Sequence, residues 1–352
     1  MRNMYRPNST RVRNHIVAAA GHLCVMPAVP PSQKGDYDET LYNSGSTADL
    51  AMPFSAVALA DFPKGPITYQ IPFGPGGQSD LEARRQQPML EKILDVKVIV
   101  QYKPGGGGSI GWATLIKKKP TGYFISGINI PHIVLQPLAR GNAGYQTDQL
   151  KPIALFQATP IGLAVLKDSP FANLEDLINF AKKNPGTVIC GGSGTWSGHH
   201  IAHLQLSKMA GVNLTYIPSK GAAKSVAAFL GGHVKALWGN SNDLVQHADK
   251  IRVLAFGTKA PFANMPDVPT FESKGYPLYA SIDRGAGAPP GTPDDRIKIL
   301  EKAFLEISSN PDVIKQMRRD GFVPLAMGAE ASKTYIMGKV KEWAPVVKAF
   351  KK

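Results

Sequence analysis

An α/β architecture is predicted for this chain, on three grounds. From residue 64 onward short apolar runs alternate with amphipathic helical patterns. Three glycine-rich loops each follow an apolar run and open a helix. With 352 residues, the chain can also hold two domains, each burying its own core.

Taken in order, Pro66 to Pro72 reads as a strand and Gly74-Pro75-Gly76-Gly77 as a turn. Ser79 or Asp80 then serves as N-cap for a helix toward Leu94 that meets Pro88. Val96 to Tyr102 is the next strand, and a glycine loop from Pro104 to Gly108 leads to a helix over 109–118. Phe124 to Ile128 and Ile153 to Leu155 read as buried strands. Asn173-x-x-Asp176 opens a helix with Leu174, Leu177, Ile178 and Ala181 on one face. Strands at 188–190, 214–217, 234–238 and 251–256 follow, with a helix at 222–230. Helices at 293–308, 311–320 and 330–350 complete the chain, the second with Pro311 at its first position.

The composition, 43% hydrophobic and 19% charged, is that of a globular protein. Residues 1–60 differ. Arg2, Arg6, Arg11 and Arg13 precede an apolar stretch from Ile16 to Val29, and a second run ends in Ala58-Leu59-Ala60. Neither is long enough to span a bilayer. Basic residues, an apolar core and a small-x-small site are the marks of a secretory leader, here spread over an unusual length. Either an upstream start codon or an unusual leader accounts for it. Export is expected, with the folded chain beginning near Asp61. Gly21-His22-Leu23 lacks the small residue that precedes a lipidated cysteine, so Cys24 would leave with the leader. Cys190 is then alone, a small core residue; no disulfide framework or zinc site can be built.

The net charge is +14. Residues 1–60 hold Lys34 and the four arginines against Asp36, Asp38, Glu39 and Asp49, so nearly all the excess lies in the rest of the chain. The lysines and arginines are scattered, without the dense basic-aromatic tract of a nucleic-acid module. Nucleic acid is not an expected partner; a small anionic ligand fits better.

Three loops carry the chemistry. In Phe73-Gly74-Pro75-Gly76-Gly77-Gln78-Ser79-Asp80, the glycines let backbone N–H groups approach a ligand, and the following helix aims its positive end at the same point. The loop is a carboxylate or phosphate cradle, or a plain turn capped by Asp80. Ser193-Gly194-Thr195-Trp196-Ser197-Gly198-His199-His200 offers hydroxyls, free amides and an aromatic wall. Thr195 breaks the nucleophile-elbow pattern, and adjacent histidines cannot share a helix face for a metal. His199 is expected to face solvent, and His200 the pocket or the helix cap. The third loop, Pro104 to Gly111, satisfies Gly-x-Gly-x-x-Gly only because four glycines run together. Phe124 to Asn129 lacks the acidic partner of a dinucleotide site. No cofactor and no metal is expected, and no residue is read as catalytic.

With these loops in order, the chain resembles the substrate-binding proteins of tripartite tricarboxylate transporters, the Bug (TctC) family. The matching stretches include Ile71-Pro72-Phe73-Gly74-Pro75-Gly76-Gly77, Pro104 to Gly111, Pro120-Thr121-Gly122-Tyr123 and Ser193-Gly194-Thr195 through His200-Ile201-Ala202. Tyr216-Ile217-Pro218-x-Lys220-Gly221-Ala222, Met265 to Thr270 and Ala288-Pro289-Pro290-Gly291-Thr292-Pro293 also match. The resemblance implies a two-lobed periplasmic-binding-protein fold of the Venus-flytrap, type II-like kind. Lobe one would take 61–160 plus 285–352, and lobe two 161–284. It implies a monomer without enzymatic activity that captures a small organic carboxylate between its lobes. The acid (a di- or tricarboxylate, or an aromatic acid) would pass to membrane transporter subunits, or else be presented to a signalling receptor.

Binding carries over to Phe73, Gly76, Gly77, Ser79 and Asp80, and to Ser193, Gly194, Thr195, Ser197 and His200. Gly127 and Asn129 form a third contact. Where the family often has Asp-Asn, this chain has Gly239-Asn240, with Asp243 nearby. Asp283 and Arg284 depart from the family pattern: Arg284 either clamps a distal carboxylate or pairs with Asp283. Trp196 is either a stacking wall or a lid.

Overall fold

The computed structural model describes residues 62–351; the leader expected at 1–60 lies outside them. Among the described residues ten strands and ten α-helices follow one another largely in alternation. The β-branched run Ile67–Ile71 forms β1, and Gln78–Leu94 forms α1, whose interior Pro88 does not end it. Next come β2 (Val98–Tyr102), α2 (Ser109–Leu115) and β3 (Phe124–Ile130). Residues His132–Arg140 form α3, a helix not foreseen because Pro131 and Pro137 bracket an apolar run too short to show a period.

The strand expected at 153–155 is the centre of a much longer one, β4, over Lys151–Leu166. Two prolines within it, Pro152 and Pro160, hid its extent. Helix α4 (Leu174–Lys183) starts where Asn173 accepts the Asp176 N–H at 2.9 Å, as its spacing predicts. The second half continues as β5 (Ile189–Ser193), α5 (Gly198–Ala210), β6 (Thr215–Ser219) and α6 (Ala222–Leu230). After them come β7 (Ala236–Asn240), α7 (Ser241–Gln246) and β8 (Ile251–Phe256). The chain returns as β9 (Ser281–Ala288), α8 (Asp294–Ser309), α9 (Pro311–Arg319), β10 (Val323–Met327) and α10 (Ala329–Phe350).

The strands form two half-sheets that share β4. In the first the order is β2-β1-β3-β9-β4-β10, with β1 parallel to β2 and β3 and the other pairs antiparallel. In the second it is β8-β4-β7-β5-β6, with β5 parallel to β6 and β7. Residues 151–160 of β4 pair with β9, while 161–166 pair with β7 and β8. Each half-sheet is buried on both faces by helices. Ile67, Ile71, Leu300 and Phe304 centre one core of the first, and Trp112, Ile133 and Leu135 the other. Leu163, Leu177 and Trp238 centre one core of the second, and Phe229, Leu244 and Phe256 the other. Cys190 is fully buried in β5, where burial pushes its thiol up to about 12. The parallel strands β1 and β3 of one half and β5 and β7 of the other send their carboxyl ends toward a shared cavity, as open α/β sheets do at their ligand sites.

Candidate ligand cavity between the half-sheets

The cavity measures about 150 Å³. Its first wall is the loop from β1 to α1. The helix begins two residues earlier than expected, with Gly77 as N-cap. Asp80 is therefore the third helical residue, not the cap. Its carboxylate reaches back to accept the Gly76 N–H at 2.8 Å, in the manner of a capping box. It also accepts from the Tyr102 hydroxyl at 2.7 Å and from Arg84. Fully engaged in this way, Asp80 stands outside the cavity lining, as does Gly76, whose φ of 79° makes the turn. Phe73, Gly77, Gln78 and Ser79 form the wall itself. No side chain caps α1; the Asp80 N–H already donates to the Gly77 carbonyl at 2.9 Å, which leaves the N–H groups of Gln78 and Ser79 without an acceptor inside the helix.

The second wall is the loop from β5 to α5. Ser197 caps α5 by accepting the His200 N–H at 3.1 Å and donates to the Ser193 carbonyl at 3.0 Å. This tight turn puts His200 in the second of its two expected places, at the helix start, and overturns the expectation for His199. His200 folds back so that its Nδ1 accepts the Trp196 N–H at 3.2 Å. His199, expected at the solvent side, is buried and lines the cavity. Its Nδ1 accepts the Ser193 N–H at 3.0 Å, so the remaining proton of the neutral ring sits on Nε2, which has no hydrogen-bond partner. Burial first, then the charge of Arg284, pushes the His199 pKa down to about 3, so the ring is a neutral donor at physiological pH.

Gly194, Thr195, Trp196, Ser197 and His200 are not part of the lining. They form a strap instead. The Gln136 amide on α3 donates to the carbonyls of Thr195 and Trp196 at 2.8 and 3.1 Å, and Arg140 donates to the Thr195 hydroxyl at 2.9 Å. Trp196, at a φ of 55°, packs against the core that contains Trp112 and Ile133. The third glycine loop serves this contact. A Cβ on Gly107 would collide with the Gln136 amide and come within 3.2 Å of the Thr195 carbonyl, and a Cβ on Gly194 would lie 3.2 Å from the Gly107 Cα.

Strand ends complete the site. On β3, the Gly127 carbonyl accepts from the Trp112 indole at 2.9 Å, away from the cavity. Asn129 lines the cavity with its amide on Ser79 Oγ at 3.1 Å and its Oδ1 unpaired. On β7, Asn240 gives its amide to Asp243 at 3.1 Å. Because a carboxylate only accepts, this fixes the Asn240 Oδ1 facing the other way, toward His199. Gln78 at the start of α1 donates to the same Asp243 at 2.5 Å, tying the two halves together. Burial raises the Asp243 pKa.

Successive residues of β9 point to opposite faces, and Asp283 and Arg284 accordingly do not pair. Asp283 accepts from Ser281 at 2.8 Å and from Tyr335 on α10. Arg284 enters the cavity wall. It is 4% exposed, donates through Nη1 to Thr159 and the Ile282 carbonyl, and leaves Nε without a partner. Burial lowers its pKa to about 10, offset in part by Asp243 and Asp283, so it is charged at neutral pH. A buried cation of this kind is costly unless an anion meets it.

Of the residues expected to bind, Phe73, Gly77, Ser79, Asn129, Ser193, Asn240 and Arg284 surround the cavity. The sequence reading missed His132 and His199, and it missed Lys220 to Lys224 at the start of α6. For the last group the signal was present: a lysine and a glycine directly before a helix. Among the described residues no cluster of three or more His, Cys, Asp or Glu is placed to hold a metal, and no helix is long and apolar enough to cross a membrane.

The fold is shared with known proteins. The chain is 28% identical over 308 residues to the protein BugT of Bordetella pertussis, covering 86% of this chain and 94% of that one. A solved structure described as the periplasmic binding protein BugD superposes with a TM-score of 0.77 at 27% identity, covering 82% of this chain and 98% of that one. Another, described as a periplasmic transporter, does so with a TM-score of 0.78 at 28% identity, again over 82% and 98%. The tripartite tricarboxylate transporter family receptor, TctC, matches residues 82–351. By this match the chain belongs to the TctC receptor family, whose two-lobed binding-protein fold it adopts.

Proposed function

We propose that the protein is an exported, periplasmic solute-binding protein that holds one small organic carboxylate in the cavity and delivers it to membrane transporter subunits. It performs no chemistry on its ligand. One observation carries this reading: Arg284 is buried, charged and incompletely paired at the cavity wall. A carboxylate would accept from its Nε and from His199 Nε2, supplying the anion that the buried guanidinium lacks. The N–H groups of Gln78 and Ser79 at the start of α1 add to the same field.

The lobes divide, in this reading, where β4 passes from one half-sheet to the other between Pro160 and Ile161. The return crossing lies just before Ser281, since all of β9 pairs in the first half-sheet. Gly76 and Asp80 shape the first loop, and Thr195 and Trp196 close over the bound acid. Closure is a population shift toward the state in which Gln136 and Gln78 make their bonds across the lobes.

Isothermal titration calorimetry with small organic acids tests the reading. One acid should bind per chain, and Arg284→Gln should weaken it by at least about 30-fold, the usual cost of removing one partner of a buried charge pair. Undiminished affinity in that variant would dismiss Arg284 as the anchor.

A further inference from the structure

The bases of this chain are scattered, but its acids are not. Residues 96–147 and 177–242 together hold 12 lysines and arginines and no aspartate or glutamate. The rest of the described chain holds 22 bases against 21 acids. The net positive charge therefore resides almost wholly in these two stretches. The first supplies β2, α2, β3 and α3 to the first half-sheet, and the second supplies β5, α5, β6 and α6 to the other.

The two stretches come together where three helices end. The last turns of α3 and of α5 both touch the last turn of α10. Lys208 in α5 holds its ammonium over the Phe350 ring, 5.5 Å from the centroid. Lys351, just past α10, donates to the Leu138 carbonyl of α3 at 3.4 Å. Arg140 ends α3, and Lys348 lies one turn before Lys351. These four cations are exposed, and among the described residues none forms an ion pair. No acid follows Glu342 in α10, and Lys339 engages Glu342 at 2.6 Å. Met209, next to Lys208, is 42% exposed, and Leu138 and Phe350 are half-buried.

A cation in the last turn of a helix is the usual complement of its dipole, and one such end would mean no more than that. Three ends in contact, with no acid among them, make a continuous basic surface studded with apolar side chains. Three of its four cations are lysines, point charges on flexible stems rather than the fixed forks that match one shaped partner. Lysines set around apolar tips suit a headgroup layer, which offers a diffuse negative field above an apolar boundary.

We infer that this surface seats the protein reversibly on an anionic lipid bilayer, with Lys208, Lys348 and Lys351 among the headgroups and Met209 at the acyl boundary. The inference is independent of what the cavity holds. Arg140 also holds the strap at Thr195, so the seated protein turns its strap toward the membrane.

Co-sedimentation of the full chain with vesicles tests this, using phosphatidylcholine alone and phosphatidylcholine mixed with phosphatidylglycerol. The protein should prefer the anionic vesicles by at least about tenfold, and added salt should shrink the preference. Each lysine near an anionic surface multiplies binding by about fivefold. Lys208→Gln/Lys348→Gln/Lys351→Gln should therefore cost about 100-fold. The control Lys92→Gln/Lys302→Gln/Lys315→Gln removes the same charge from α1, α8 and α9, which cover the other face of the first half-sheet. It should cost less than about threefold. All these proteins share the same first 60 residues, so the difference between the two variants reports on the surface alone. Equal losses in both would overturn the inference, because basic charge anywhere would then suffice. A native protein that binds neither kind of vesicle would overturn it too. If an oligoglutamate peptide then binds, and the Lys208 triple variant loses it, the surface belongs to an acidic protein segment instead.

Discussion

Acid should destabilise this protein well above the range in which surface carboxylates titrate. His199, His200 and His203 are all buried or nearly so, and each uses Nδ1 as an acceptor. The donors are the Ser193 N–H, the Trp196 N–H and the Trp238 indole N–H, the last at 3.3 Å. Protonating any of these rings would set one N–H against another. Burial, foremost among the causes, accordingly holds their pKa values at about 3, 4 and 4.

In the unfolded chain each histidine returns to about 6.5. Between about pH 4 and 6.5 the unfolded state thus binds more protons than the native one, and stability falls as pH falls through that window. At pH 5 the loss is about 2 kcal/mol per histidine, or about 6 kcal/mol for the three. A typical domain holds about 5–15 kcal/mol in total. Asp243, whose pKa is raised by burial, works in the opposite sense and returns part of the loss. Urea unfolding followed by tryptophan fluorescence at pH 7.5, 6.5, 5.5 and 5.0 reads this directly. His132, also buried and with its pKa lowered well below the ordinary value chiefly by that burial, adds to the same slope, so His203→Gln should remove about one quarter of it. A midpoint that stays level from pH 7.5 to 5.0 would refute the argument that these rings are locked in the neutral form.

Three other outcomes follow from the site. Gln136→Ala removes both bonds to the strap, at about 1 kcal/mol each, and should weaken ligand binding by up to about 30-fold, chiefly through faster release in stopped-flow traces. Gly107→Ala should also weaken binding, because a Cβ at a φ of 68° meets Gln136 and the Thr195 carbonyl; unchanged release would show that the two glycine loops do not meet in solution. Asp80→Ala should lower stability by about 1 kcal/mol as a lost helix cap and cost far less affinity than Arg284→Gln. A loss as large as that of Arg284→Gln, measured side by side by calorimetry, would return Asp80 to the ligand.

What could be seen in the sequence depended on how local the cause was. Asn173 was legible at its helix start because a cap is decided within four residues. The glycine loops were legible as the ends of strands because the same few residues make both turn and helix start. His199 was misjudged because its direction depends on a turn closed by Ser197 onto Ser193 and on the packing of α5, neither visible as a period. Arg284 and Asp283 could be recognised as out of place. Their separation needed β9 itself, a strand of Gly285, Ala286, Gly287 and Ala288 too poor in side chains to read as one. The span of β4 was hidden for the opposite reason, since prolines at 152 and 160 mark breaks in isolation, whereas here the pairing with β9 runs through both and shifts register just after Pro152. The strap across the cavity, from Gln136 to Thr195, joins residues 59 apart, and no local pattern announces it.

The central claim is that this cavity holds a small organic acid. A thermal-shift screen of the protein against dicarboxylates, citrate-like acids, aromatic acids and acidic or amide amino acids tests it most directly. A ligand that binds only the folded state raises the melting temperature by mass action. The account predicts a saturable rise with one class of carboxylate, absent in Arg284→Gln. No rise with any carboxylate, in a protein that melts cooperatively, would contradict it.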